Sequence, residues 1–143
     1  MKKSILTLAA FLLILTTFAA GPDEKILATF NATFSNPAEV TWYDSNDFYQ
    51  AYFEQSGVKT RVKYDKKGNF VSAIRYYEEQ NLPIHIANQL KKNYSDQKVY
   101  GVTEITSSET VKYYVTLHDD KKWTMVQLIA TGETVTSKRL RKA

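Results

Sequence analysis

The sequence predicts an α+β domain in which two helices cover one face of a single antiparallel sheet of about eight strands. Three observations carry this. Two segments sixty residues apart, around Ile26 and Ile86, place apolar residues at helical spacing, and four short strand-like runs follow each. The breaks between runs are short stretches of turn residues, too short for the long crossover that parallel pairing needs. Ten Tyr, seven Phe and two Trp in 143 residues also favour sheet, because a flat ring packs well on a pleated surface.

Ahead of these elements stands a leader. Met1-Lys2-Lys3 is a positive start, Ile5 to Phe18 is an apolar run, and Thr17 to Gly21 supplies small residues near a cut after Ala19 or Ala20. That order is a secretory signal peptide over residues 1–20. The run is shorter than the ~20 apolar residues of a membrane span. With no Cys after it, a lipoprotein anchor is excluded, so the expected destination is periplasm or medium. What remains, residues 21–143, is roughly 120 residues, enough for one core.

The first helix is expected over Asp23 to Phe34, with Ile26, Phe30 and Phe34 on one stripe and Asp23 and Glu24 at the dipole-favoured first turn. Strands follow at Val40 to Tyr43, Phe48 to Phe53, Val58 to Tyr64 and Asn69 to Tyr77. The second helix opens at Asn81-Leu82-Pro83, with Asn81 as its expected N-cap and Ile86, Leu90 and Tyr94 on its stripe. Strands then recur at Lys98 to Thr106, Thr110 to Leu117, Lys122 to Ala130 and Glu133 to Leu140. Ile26, Phe30 and Phe34 map onto Ile86, Leu90 and Tyr94, and Gly68 maps onto Gly132. The reading is therefore one domain built from a duplicated helix-plus-four-strand unit, with halves at about 22–80 and 81–143.

Some motifs along these elements are also familiar. An Ala-Glu-Val-Thr-Trp strand (Ala38 to Trp42) precedes a Val-Lys-Tyr-Asp-Lys-Lys-Gly-Asn hairpin (Val62 to Asn69). A helix opening Leu82-Pro83 and ending Lys91 to Tyr94 precedes a Tyr-Tyr-Val-Thr-Leu strand (Tyr113 to Leu117). With the leader, this pattern resembles the bacterial beta-lactamase-inhibitor-like, PepSY-like family of periplasmic proteins over essentially the whole exported chain. The resemblance implies the same duplicated unit and a single antiparallel sheet. It brings no catalytic residues, and a shared fold does not fix function.

Chemistry is sparse. The absence of Cys removes disulfides, thiolate metal sites and a cysteine nucleophile together. His85 and His118 lack any sequence partner suggesting a nucleophile, and His118-Asp119-Asp120 reads as a solvated turn rather than a metal site. Asp44-Ser45-Asn46-Asp47 lacks the spacing and closing Glu of a calcium loop. Glu78 and Glu79 are neighbours at a strand end, where successive side chains point apart, and cannot flank one bond. The sequence therefore implies no enzyme, no metal and no cofactor. The formal charge is +4, and Lys2 and Lys3 belong to the leader, so the exported chain is too weakly basic to indicate a nucleic-acid partner.

What remains is surface. Val58, Val62 and Tyr64 alternate with Lys59, Arg61 and Lys63, and Val111, Tyr113, Val115 and Leu117 alternate with Lys112, Tyr114 and Thr116. With helices on one sheet face, the other is expected to carry Lys59, Arg61, Lys63, Arg75, Tyr77, Lys112 and Tyr114, with Tyr43 beside them. Tyr and Arg combine contact area with a polar handle and are enriched at protein interfaces. The expected function is an exported, non-catalytic binding or inhibitor-like module whose partner is an envelope protein or a peptide. The alternative is a small-ligand binder using an aromatic-lined groove between helices and sheet.

Overall fold

The computed structural model describes residues 21–35 and 37–142, so the leader and its cut lie outside the described residues. Helix α1 (Glu24–Thr33) precedes strands β1 (Thr41–Asp44), β2 (Phe48–Gln55), β3 (Val58–Asp65) and β4 (Phe70–Tyr77). A single 3-10 turn (Glu79–Asn81) leads into α2 (Ile84–Asn93), then β5 (Lys98–Ser107), β6 (Val111–His118), β7 (Lys122–Ile129) and β8 (Thr134–Arg141). Every strand pairs antiparallel with its sequence neighbour, giving one eight-stranded sheet in the order β1 to β8. The two meanders join through β4 and β5, where Arg75 lies opposite Glu104 and Tyr77 opposite Val102.

The helix starts differ in mechanism. At α1, the Asp23 carboxylate accepts a 3.0 Å hydrogen bond from the Ile26 backbone N–H, satisfying one of the orphan donors at a helix start. At α2, the expected Asn81 cap is not used: Asn81 belongs to the 3-10 turn, and Pro83 occupies the cap position with no side-chain hydrogen bond. The reason is local. Proline disfavours helical backbone in the residue before it, and Leu82 is accordingly extended, so helix can begin only beyond Pro83.

Both helices pack on the same sheet face, because Val58 and Val62, two pleats apart in β3, contribute one to each core. Under α1, Ile26 and Phe30 meet Ala51, Phe53, Val62 and Tyr64. Phe30 lies edge-on to Phe53 at 5.4 Å and to Trp42 at 5.1 Å between ring centroids. Under α2, Ile86 and Leu90 meet Val102, Val115, Leu117, Val126 and Leu128. Each fully buried side chain of this size contributes about 1.5–3 kcal/mol of transfer free energy.

A polar seam lies between the two cores. Thr60 sits opposite Arg75 and Arg75 opposite Glu104, whose other neighbour is Tyr113. Glu104 is buried, and Arg75 Nη1 donates to its two oxygens at 3.1 and 3.3 Å. The Tyr77 hydroxyl donates to Glu104 at 2.6 Å. Burying that carboxylate without such partners would be costly, and here its oxygens are satisfied.

Candidate interaction surface

The register sorts every strand residue onto one of two faces. Lys59, Arg61 and Lys63 point away from the helices, as do Lys112 and Tyr114, because their strand neighbours Val58, Thr60, Val62, Tyr113 and Val115 are buried. Tyr43 joins this open face through Gln50, which in turn lies opposite Lys63. Six of the expected residues thus share one surface.

Arg75 and Tyr77 do not. Arg75 pairs with buried Thr60, and Tyr77 is 5 % exposed within the core under α2. The residues of β4 that reach the open face are Ser72, opposite Lys63, Ile74, opposite Arg61, and Tyr76, opposite Lys59. Polarity misleads here, since Arg75 and Tyr77 read as wet-face residues while the buried Glu104 gives both an internal partner. The β3–β4 pairing also slips at Lys63/Tyr64, a bulge that breaks simple counting along β4.

Sequence reasoning missed several open-face residues. Tyr52 lies opposite Arg61 and Thr41, and the alternation of Tyr52 and Glu54 with buried Ala51 and Phe53 was a readable signal. Tyr43, Gln50, Tyr52 and Arg61 border a shallow hollow of about 300 Å³. On the far half, Thr103, Tyr114, Met125 and Lys138 border another of about 400 Å³. Near one corner, Trp123 and His118 are cross-strand partners, Tyr100 stands edge-on to Trp123 at 5.0 Å, and Lys142 Nζ lies 4.7 Å from the Trp123 ring centroid. Tyr100 escaped detection because it sits in the Val99/Gly101 bulge, outside the pleat alternation.

Most of the exposed large apolar side chains among the described residues lie on this face, although Ile84 of α2 is 75 % exposed on the other. Tyr43 is 56 % exposed and Tyr100 66 %, and Tyr52, Tyr76, Tyr114, Met125 and Leu140 are also exposed. Among the described residues the ion pairs are Lys66–Asp44, Arg75–Glu104 and Lys122–Asp119, so Lys59, Arg61, Lys63, Lys112 and Lys138 have no carboxylate partner.

The opposite side holds a cleft of about 490 Å³ over the seam and another of about 350 Å³ where Leu90 and Tyr94 of the α2 end meet Val99 and Leu117. Phe34, Phe53 and Phe70 form part of the wall of the cleft over the seam, and Thr60, Arg75 and Glu104 also line it. Elsewhere, Asp119 accepts from the backbone N–H groups of Lys121 and Lys122 at 2.8 and 2.9 Å, which is turn chemistry. Those hydrogen bonds hold its carboxyl below the usual range. No group of three or more metal-ligating side chains occurs among the described residues, and no described helix is long and apolar enough to cross a membrane.

Fold and surface together define a class: an α+β protein whose described residues form two helices on one face of an eight-stranded antiparallel sheet and leave the other face bare. Several solved structures share this fold. A BLIP-like protein from Bacteroides fragilis superposes with a TM-score of 0.62 at 17% identity, covering 89% of this chain and 92% of its own. A DUF2874 family protein from Bacteroides ovatus gives 0.60 at 16%, covering 84% and 89%. A protein from Bacteroides eggerthii described as periplasmic gives 0.58 at 17%, covering 84% and 90%. At such identities the likeness is one of fold. It agrees with the inhibitor-like side of the sequence resemblance and lends nothing to the PepSY-like side. No family model and no curated protein matches the sequence.

Proposed function

We propose that the chain is an exported, non-catalytic binding module that engages a protein or peptide of the cell envelope through its open sheet face. The observation that carries the reading is the concentration of exposed aromatic and apolar side chains, Tyr43, Tyr52, Tyr76, Tyr100, Tyr114 and Met125, on one continuous face. A sheet face with no helix over it that still presents large rings is a ready interface, since each ring offers broad contact area with two torsions to immobilise. The leader supports export, and the BLIP-like and periplasmic neighbours fit a module of this kind.

The test is affinity capture from the native envelope fraction with the exported chain and a Tyr52→Ala, Tyr76→Ala, Tyr114→Ala variant, followed by reconstitution with the purified captured protein. The reading expects one protein that binds the wild type directly and loses at least tenfold in affinity for the folded variant. Equal binding to both would place the interface elsewhere.

The cleft over the polar seam favours a second reading, a small ligand held between helices and sheet against Phe34 and Phe53. Loss of a ligand from a Phe53→Ala variant, with the tyrosine variant unaffected, would select it.

A further inference from the structure

The charge on the open face narrows the partner. We propose that this face recognises an acidic protein surface, one presenting several Asp or Glu carboxylates beside apolar or aromatic side chains. The inference rests on the open-face reading and adds the chemical class of the partner.

Segregation of charge is the first argument. The sequence has 19 basic and 15 acidic residues, so an indifferent arrangement would put both signs on every surface. Instead Lys59, Arg61, Lys63, Lys112 and Lys138 all stand on the open face, spread from β3 to β8. Within its strands the acids there are Glu54, opposite Lys59, and Asp65 at the end of β3. Asp65 is already engaged, accepting from the Lys67 and Asn69 backbone N–H groups at 2.9 and 2.8 Å.

The second argument is that these cations are unspent. None takes part in the ion pairs among the described residues. Where this protein needs a cation structurally it pairs it, as at Arg75 and Glu104. Lys59, Arg61 and Lys63 stand at alternate positions of one strand and repel, a cost that a carboxylate-bearing partner would remove on docking.

The third argument separates carboxylates from phosphates. Bidentate recognition of a phosphate draws on arginine forks and helix N-termini, whereas lysine meets a phosphate only as a point charge. Arg61 is the one arginine among those five cations, and both helices lie on the opposite side of the sheet. The cations are interleaved with Tyr52, Tyr76 and Tyr114 instead. Lys63 Nζ also lies 4.2 Å from the Phe48 ring centroid, so one of these ammonium groups already rests over an aromatic ring. Mixed rings and isolated ammonium groups suit a protein surface of matching mixture. A second copy of this chain would bring like charge to like charge.

The experiment titrates the purified exported chain with a fluorescent random copolymer of Glu and Tyr, with heparin and with phosphatidylglycerol vesicles in parallel. Two variants carry the same loss of charge. One is Lys59→Gln, Arg61→Gln, Lys63→Gln, Lys112→Gln on the open face. The other is Lys25→Gln, Lys91→Gln, Lys92→Gln, Arg139→Gln on the helix side. Thermal melts establish that both fold. The proposal expects copolymer affinity to fall at least tenfold in the first variant and less than twofold in the second. It also expects a steep loss between 50 and 200 mM salt, of the order seen when several charge contacts form. Equal losses in the two variants would overturn it, as would tighter binding of heparin or vesicles, or no copolymer binding. If it fails while the tyrosine-dependent envelope partner persists, the face is an interface and its chemistry is not acidic.

Discussion

Gly68 sits against Ile26: a Cβ added at the glycine would lie 3.5 Å from the isoleucine Cγ1. The second half repeats the relationship, with Gly132 placing a Cβ 3.7 Å from Ile86 Cδ1. Each glycine closes the hairpin before the last strand of its half and brings that turn onto the first buried residue of the helix. Both distances are ordinary contacts, so alanine would fit in space. The backbone is the obstacle, with φ at +85° and +88°. Gly68→Ala and Gly132→Ala should each cost about 1–2 kcal/mol, the left-handed penalty for a residue with a Cβ. The two cores are separate, so the double variant should be near the sum. Urea unfolding measures all three.

That pairing of glycine with isoleucine explains why the repeat was legible. Apolar spacing at Ile26 and Ile86 and a turn glycine in each half are local signals, and each has one physical reading. Strand faces were legible where alternation was clean, as from Val58 to Tyr64. They were not legible in β4, where Ile74 and Tyr76 compete with Arg75 and Tyr77 for the wet side. What decides between them is Glu104, a residue 27 positions from Tyr77 that meets it only through the β4–β5 pairing. Helix capping failed at Asn81 for a comparable reason, since the Leu82-Pro83 backbone outweighed a favourable cap residue.

Removal of the Tyr77 hydroxyl should be expensive for so small a change. Tyr77→Phe leaves ring packing intact and deletes a 2.6 Å bond to a buried carboxylate, a type of bond that contributes about 1.5–3 kcal/mol. Arg75→Met should cost about 2 kcal/mol, because it strands Glu104, with the partial exposure of Arg75 softening the loss. A Glu104→Leu change made together with Arg75→Met should recover part of that. The double-mutant cycle, read by chemical denaturation, expects a coupling above about 0.5 kcal/mol.

Alkaline stability should be governed by buried phenols. Burial raises Tyr64 from 10.0 to about 12, and Tyr77 and Tyr113 move the same way, chiefly by burial. The folded state resists losing these protons while the unfolded chain gives them up near pH 10. Their contribution is therefore fully present below about pH 10 and is lost as pH rises toward 12. Tyr64→Phe should shift the alkaline unfolding midpoint upward, followed by circular dichroism against pH. An unchanged midpoint would show that Tyr64 does not ionise with unfolding.

Acid has the opposite sign. Asp65 and Asp119 both sit below the usual carboxylate range, Asp65 chiefly through Asn69 and Asp119 chiefly through the Lys121 backbone N–H. The stability they supply is present above their unfolded values near pH 3.8 and is lost as pH falls through the lowered folded values. Asp65→Asn with Asp119→Asn should flatten the acid arm of the stability profile below about pH 4, with little change in its slope above pH 6. Urea midpoints across pH 2 to 7 test this directly.

The last expected gain lies in the core under α2. Thr124 is 0 % exposed, it faces Leu117 across the β6–β7 pairing, and its Oγ1 has no hydrogen-bond partner. The folded state therefore forgoes the hydrogen bonds that hydroxyl makes to water in the unfolded chain. Valine has nearly the same shape and carries no such debt, and β-branching suits it to the strand. Thr124→Val should stabilise the protein by about 1 kcal/mol, since a buried unsatisfied hydroxyl is removed without opening a cavity. Thr124→Ala should destabilise instead, because it removes the methyl along with the hydroxyl. Opposite signs in denaturant midpoint for the two variants are the expected result. A destabilised Thr124→Val would mean that the hydroxyl finds a partner in solution.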